Sequence, residues 1–104
     1  MTIVTSENFE KEVLESSIPV VIDFFADWCM PCKMFAPIFE ETAEEFEGKV
    51  KFVKVKIDAS PRLAQKYRVM SIPTIKLVQG DEILGESVGA MAREEFEDWL
   101  NECL

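Results

Sequence analysis

The 104-residue sequence predicts an α/β sandwich built on a central mixed β-sheet, and three observations carry that prediction. The run Val20-Val21-Ile22-Asp23-Phe24-Phe25 is short, β-branched and aromatic, and apolar on both faces but for one carboxylate, the pattern of a strand covered on both sides. Segments with helical spacing alternate with strand-like segments through the first two thirds of the chain. Two strands joined by a tight turn, then a last amphipathic segment, complete it.

Taken in order, Ser6 is placed to cap a first helix running to about Ser16, with Phe9, Val13 and Leu14 turned inward, and Pro19 closes the connection. The strand from Val20 to Phe25 follows. Phe35, Ile38, Phe39, Thr42, Ala43 and Phe46 then recur at spacings of three and one, the stripe of an amphipathic helix from Pro31 to about Phe46. Pro31 suits its first turn, Pro37 should kink it, and Gly48 ends it. Val53, Val55 and Ile57 alternate with Lys54 and Lys56 as a strand, and Ser60-Pro61 opens a short helix toward Tyr67. Thr74 to Gln79 and Glu82 to Val88 are strands joined by the two-residue hairpin signal Gly80-Asp81. Phe96, Trp99, Leu100 and Cys103 line the inner face of a closing helix.

The length suits one domain over residues 1–104, and 48% hydrophobic residues with eight Phe can fill a core without disulfide staples. A formal charge of −9, from 20 acids against 11 bases, argues against binding nucleic acid or an anionic membrane. The acids fall on presumed outer helix faces, as Glu40, Glu41, Glu44 and Glu45 do, and describe a solvated surface. With no secretory signal pattern and no apolar run approaching ~18 residues, a cytoplasmic location is expected. In that reducing compartment a close cysteine pair is catalytic or metal-binding rather than structural.

Cys29-Met30-Pro31-Cys32 is that pair. Cysteines at i and i+3 of a helix start lie on one side of the first turn, close enough to bridge and re-open. If Pro31 begins the helix, Cys29 stands just outside its N-terminus, where unpaired N–H groups and the positive end of the dipole stabilise a thiolate. Cys29 is then the nucleophile and Cys32 the resolving thiol. Zinc and iron–sulfur sites ordinarily need four ligands, and the only other cysteine is the distant Cys103, with no His in the chain. The missing His also removes the usual base of a cysteine protease. Neither metal nor cofactor is implied. Asp23, between Val21 and Phe25 on its strand face, is expected to be buried, with a pKa raised by desolvation that suits proton exchange with Cys32. A carboxylate satisfied by local hydrogen bonds or paired with a lysine is the alternative.

The segment Val21-Ile22-Asp23-Phe24-Phe25-Ala26-Asp27-Trp28-Cys29-Met30-Pro31-Cys32-Lys33-Met34-Phe35-Ala36-Pro37 closely resembles the active-site segment of the thioredoxin family. The resemblance continues through Ile57-Asp58, Tyr67-Arg68-Val69, Ser71-Ile72-Pro73-Thr74 and Val88-Gly89-Ala90, in the family's order and spacing. It implies a thioredoxin fold, with five strands in a mixed sheet flanked by four α-helices. It further implies a protein-disulfide reductase with a Cys29-Cys32 redox disulfide, re-reduced by a thioredoxin reductase and acting on disulfide-containing proteins. A monomer is expected.

By the same resemblance Asp23 matches the family's buried carboxylate, Lys54 the lysine that modulates it, and Pro73 its cis-proline. A cis bond there would expose the Ile72 backbone to an extended substrate strand. Trp28, Met30, Pro31, Met70 and Gly89 would border the same groove, although core packing for Met70 and a plain turn for Gly89 are open alternatives. Two departures stand out. Met30 replaces the Gly usual before the motif's proline, which bears on the reduction potential, and Phe25 stands where a second tryptophan is common. Cys103 matches no catalytic position and continues the apolar stripe of the last helix as a partly buried thiol. A glutathione-coupled or oxidising relative, or a binding module using the groove by Trp28 and Pro73, are the competing functions.

Overall fold

The computed structural model describes residues 1–104. Its strands are β1 (Thr2–Ile3), β2 (Val20–Phe25), β3 (Lys51–Lys56), β4 (Thr74–Gln79) and β5 (Glu82–Val88). They form one sheet in the order β1-β3-β2-β4-β5. β1, β3 and β2 run parallel, whereas β4 and β5 are antiparallel to their neighbours. The helices are α1 (Met30–Glu45), α2 (Pro61–Lys66) and α3 (Arg93–Cys103), preceded by a π-helical segment over Glu10–Leu14. Five strands and four helical elements make the α/β sandwich expected from the sequence.

The period-2 alternation of β2 divides the core in two. Val20, Ile22 and Phe24 pack with Phe9, Val13, Leu63 and Tyr67 under the π-helical segment and α2. Val21 packs on the other face with Phe35 and Phe39 of α1 and Phe96 and Leu100 of α3. Each fully buried Phe or Leu contributes about 1.5–3 kcal/mol, so both faces of β2 carry a large apolar load. Asp23 stands on the α1 face in the midst of this packing, with none of its surface exposed.

Several local expectations change. The first helix is a short π-helical segment rather than an α-helix from Ser6 to Ser16. Ser6 is exposed and caps nothing; Thr5 Oγ1 accepts the Glu7 N–H at 3.3 Å, and Asn8 Oδ1 accepts the Thr5 N–H at 2.7 Å. These bonds hold residues 5–8 as a turn and delay the helix. α1 begins at Met30, not Pro31, which makes Cys29 itself the N-cap. The helix runs on through Pro37 to Glu45 as one element. β1 has no signature in the sequence, because two residues are too short to show alternation; it pairs with Val53 and Lys54 of β3.

Candidate active site

The sheet register gathers the site at one end of the molecule. Phe25 pairs with Lys56, Phe24 with Thr74, and Thr74 with Val88. The segments after β2, β3 and β5 and the one before β4 therefore meet, and they carry Trp28 to Cys32, Asp58, Ile72-Pro73 and Gly89.

Cys29 and Cys32 form a disulfide with a Cα separation of 5.3 Å, as one helical turn permits. Both are buried. Cys29 has extended backbone (φ −97°, ψ 111°), and its Sγ accepts the Cys32 N–H at 3.2 Å. One of the first unpaired amides of α1 thus points at the Cys29 sulfur, where the helix dipole favours negative charge. Pro31, the second helical residue, has no N–H that needs a partner.

The Ile72–Pro73 peptide bond is cis. The Ile72 carbonyl oxygen lies 3.8 Å from Cys29 Sγ, so the backbone before Pro73 passes directly beside the sulfur. Gly89, at φ +100°, donates its N–H to the Pro73 carbonyl at 2.8 Å, which brings the end of β5 to the same rim. That positive φ is one L side chains rarely adopt, which accounts for glycine at this turn. Trp28 is 68% exposed, yet its indole N–H donates to Asp58 Oδ2 at 2.9 Å and holds the ring at the surface. Met30 and Met34 are exposed, and Met70, at 94% exposure, has no part in the core. Trp28, Ile57, Val69, Met70 and Ile72 line an apolar groove of about 350 Å³ beside the disulfide.

Neither carboxylate oxygen of Asp23 has a hydrogen-bond partner in the protein, which removes the alternative of a locally satisfied group. Desolvation by burial raises its pKa to about 7, against a smaller lowering by Lys54 and with a further upward push from Glu40. Lys54 lies opposite Asp23 in the β2–β3 register, but its ammonium is paired to Glu40 at 3.8 Å. Phe25, in the place of a second tryptophan, stacks under that ammonium at 4.7 Å. Cys103 is a free, half-buried thiol on the inner face of α3, against the core and Gly85 of β5, and burial pushes its pKa up. Met34 and Asp58 lie within the segments that resemble the family but carry no role there, and the sequence marks Glu40 only by its spacing, eight residues after Cys32 on one helix face.

A family model described as Thioredoxin matches residues 1–102. A thioredoxin of Rickettsia felis is 44% identical over 101 residues, covering 97% of this chain and 96% of that protein. The chain belongs to the thioredoxin family. Thioredoxin 1 of a Nostoc species is 42% identical over 101 residues, covering 97% of this chain and 94% of that protein. A thioredoxin of Buchnera aphidicola is 45% identical over 98 residues, covering 94% and 91%. Family membership and the bridged Cys29-Cys32 pair give this thioredoxin-family chain a dithiol redox function, that of a protein-disulfide oxidoreductase. No helix is long and apolar enough to cross a membrane.

Proposed function

We propose that residues 1–104 act as a single monomeric domain that reduces protein disulfides in the cytoplasm and is returned to the dithiol form by a thioredoxin reductase. The Cys29 thiolate attacks one sulfur of a substrate disulfide, forming a mixed disulfide and releasing the other substrate sulfur as a thiolate. Asp23 accepts the proton of Cys32, whose thiolate attacks Cys29 Sγ. The Cys29–Cys32 bond forms, the second substrate sulfur leaves, and two electrons have passed from the chain to its substrate. Lys54 modulates Asp23.

The substrate segment lies extended along the groove, pairing with the Ile72 backbone beside Pro73 and resting on Trp28, Met30, Pro31 and Gly89. The acidic balance argues against a role with nucleic acid or an anionic membrane. The observation that carries the assignment of roles is Cys29 as N-cap of α1, with its sulfur accepting the Cys32 amide. The test is insulin reduction with thioredoxin reductase or with glutathione as electron source, together with trapping by Cys32→Ser. Turnover with the reductase and a stable mixed disulfide at Cys29 are expected. Turnover with glutathione alone, or trapping by Cys29→Ser instead, would refute this reading.

A further inference from the structure

The ammonium of Lys54 is held by two neighbours, and neither is Asp23. It lies 4.7 Å from the centre of the Phe25 ring and 3.8 Å from Glu40 Oε2, on a side chain only 13% exposed. Direct opposition across two strands is the position from which a lysine would pair with a carboxylate, and Lys54 is directly opposite Asp23. Both oxygens of Asp23 are nevertheless left without a partner.

The helix explains where Lys54 goes instead. Cys32, Ala36 and Glu40 follow one another at intervals of four along α1 and share one face, over a rise of about 12 Å. Cys32, Ala36 and Lys54 line one surface cavity of about 340 Å³, and Glu40 pairs with Lys54 from the next turn of the helix. One helix face therefore presents the resolving cysteine at one end and an anchor for the lysine at the other.

We propose that Glu40 is a positioning residue of the dithiol reaction: its carboxylate holds the Lys54 ammonium to the α1 side, and so leaves Asp23 unpaired and able to exchange a proton with Cys32. The proposal rests on the reading of Asp23 as the proton-transfer group. The electrostatics agree in direction, since Lys54 lowers and Glu40 raises the proton affinity of Asp23. Of the other charges on the surrounding elements, Asp27 pairs with Lys56 at 2.9 Å, and Lys33 lines the same cavity as Cys32 and Lys54. Lys76 of β4, in register with Ile22, belongs to the opposite face and pairs with Glu86.

The test follows the Asp23 carboxyl by ¹³C NMR across pH and measures the pH–rate profile of disulfide reduction in the same variants. Glu40 is 55% exposed on its side chain, so Glu40→Gln should fold normally. It should lower the Asp23 midpoint by roughly one pH unit and move the acidic limb of the rate profile with it, as Lys54 turns inward. Glu40→Asp should recover part of the shift. In a Lys54→Met background, adding Glu40→Gln should produce a much smaller change. An unmoved Asp23 midpoint in Glu40→Gln would overturn the proposal, and so would a full-sized shift in the absence of Lys54, because Glu40 would then act directly. Asp23→Asn separates the underlying reading. If that variant keeps the parent's rate profile while Glu40→Gln still moves the Asp23 midpoint, the proton-transfer role fails and the positioning of Lys54 stands.

Discussion

Replacing Asp23 by Asn should make the protein's stability far less sensitive to pH, and the size of the change follows from burial. In the fold, burial pushes the Asp23 carboxyl from an ordinary 3.8 up to about 7. A carboxyl whose folded pKa is raised binds its proton more tightly in the native state, so stability is fullest below the unfolded pKa and is lost as pH rises through the folded one. At about 1.4 kcal/mol per unit, the full loss is about 4 kcal/mol above pH 7. Between pH 5 and pH 8 it amounts to roughly 2 to 3 kcal/mol, or a urea midpoint shift of roughly 1.5 to 2 M at an m value of about 1.5 kcal/mol/M. The buried amide of Asn, short of partners like the carboxylate it replaces, costs about 1–3 kcal/mol at every pH. The readout is therefore the difference between parent and variant as a function of pH, measured by urea unfolding of the oxidised proteins. The variant should gain on the parent steadily from pH 5 to pH 8. A difference that stays constant over that range would refute the desolvated carboxyl.

Three further predictions concern parts of the fold outside the dithiol. Gly85→Ala should cost about 1–3 kcal/mol in thermal or urea unfolding, because the new Cβ collides with Cys103 Sγ and crowds Trp99 Cζ2 at 3.3 Å; adding Cys103→Ala should recover much of it. Lys76, 6% exposed and paired to Glu86, should tolerate Lys76→Met nearly neutrally, whereas Glu86→Gln leaves a buried ammonium unpaired and should cost about 1–3 kcal/mol by the same measurement. In the reduced protein, iodoacetamide should label Cys103 more slowly than Cys29, since burial holds the Cys103 thiol protonated; mass spectrometry of timed aliquots reports the order.

What the sequence discloses is whatever repeats or clusters along it. The two-faced apolar run of β2, the stripe of α1 and the Gly80-Asp81 hairpin are local patterns, and each element lies within a residue or two of its expected bounds. The cysteine spacing and Pro31 likewise disclose a helix N-terminus beside a thiol. β1 stays hidden because its two residues are ordered by hydrogen bonds to β3 and not by a pattern of their own. The π-helical segment stays hidden because Thr5 and Asn8, not Ser6, satisfy the amides of the preceding turn. The partners of the site residues are the least visible. Trp28 reaches Asp58 thirty residues on, and Lys54 reaches back to Glu40, from a strand to a helix. Nothing in the composition ties these pairs together; the strand register does.

That register also explains why the carboxylate stands at position 23 and not beside it. Only residues 21, 23 and 25 of β2 face α1, since one step along the strand turns a side chain into the opposite core with Ile22 and Phe24. Position 25 is half-buried at the strand's end, where a carboxylate would stay solvated and titrate as an ordinary acid. Position 21 is two residues deeper, a further ~7 Å from Cys32, under the aromatic packing of Phe35 and Phe39. Position 23 is fully dry and lies between these two, nearer than position 21 to the strand end from which the chain leads into α1. Moving the acid outward, as Asp23→Val with Phe25→Asp, keeps a carboxylate in the molecule but should abolish the pH dependence of stability described above and return the rate profile to that of Asp23→Asn. Retention of either property by the double variant would show that the chemistry needs only a nearby carboxylate, and that its depth in the sheet is incidental.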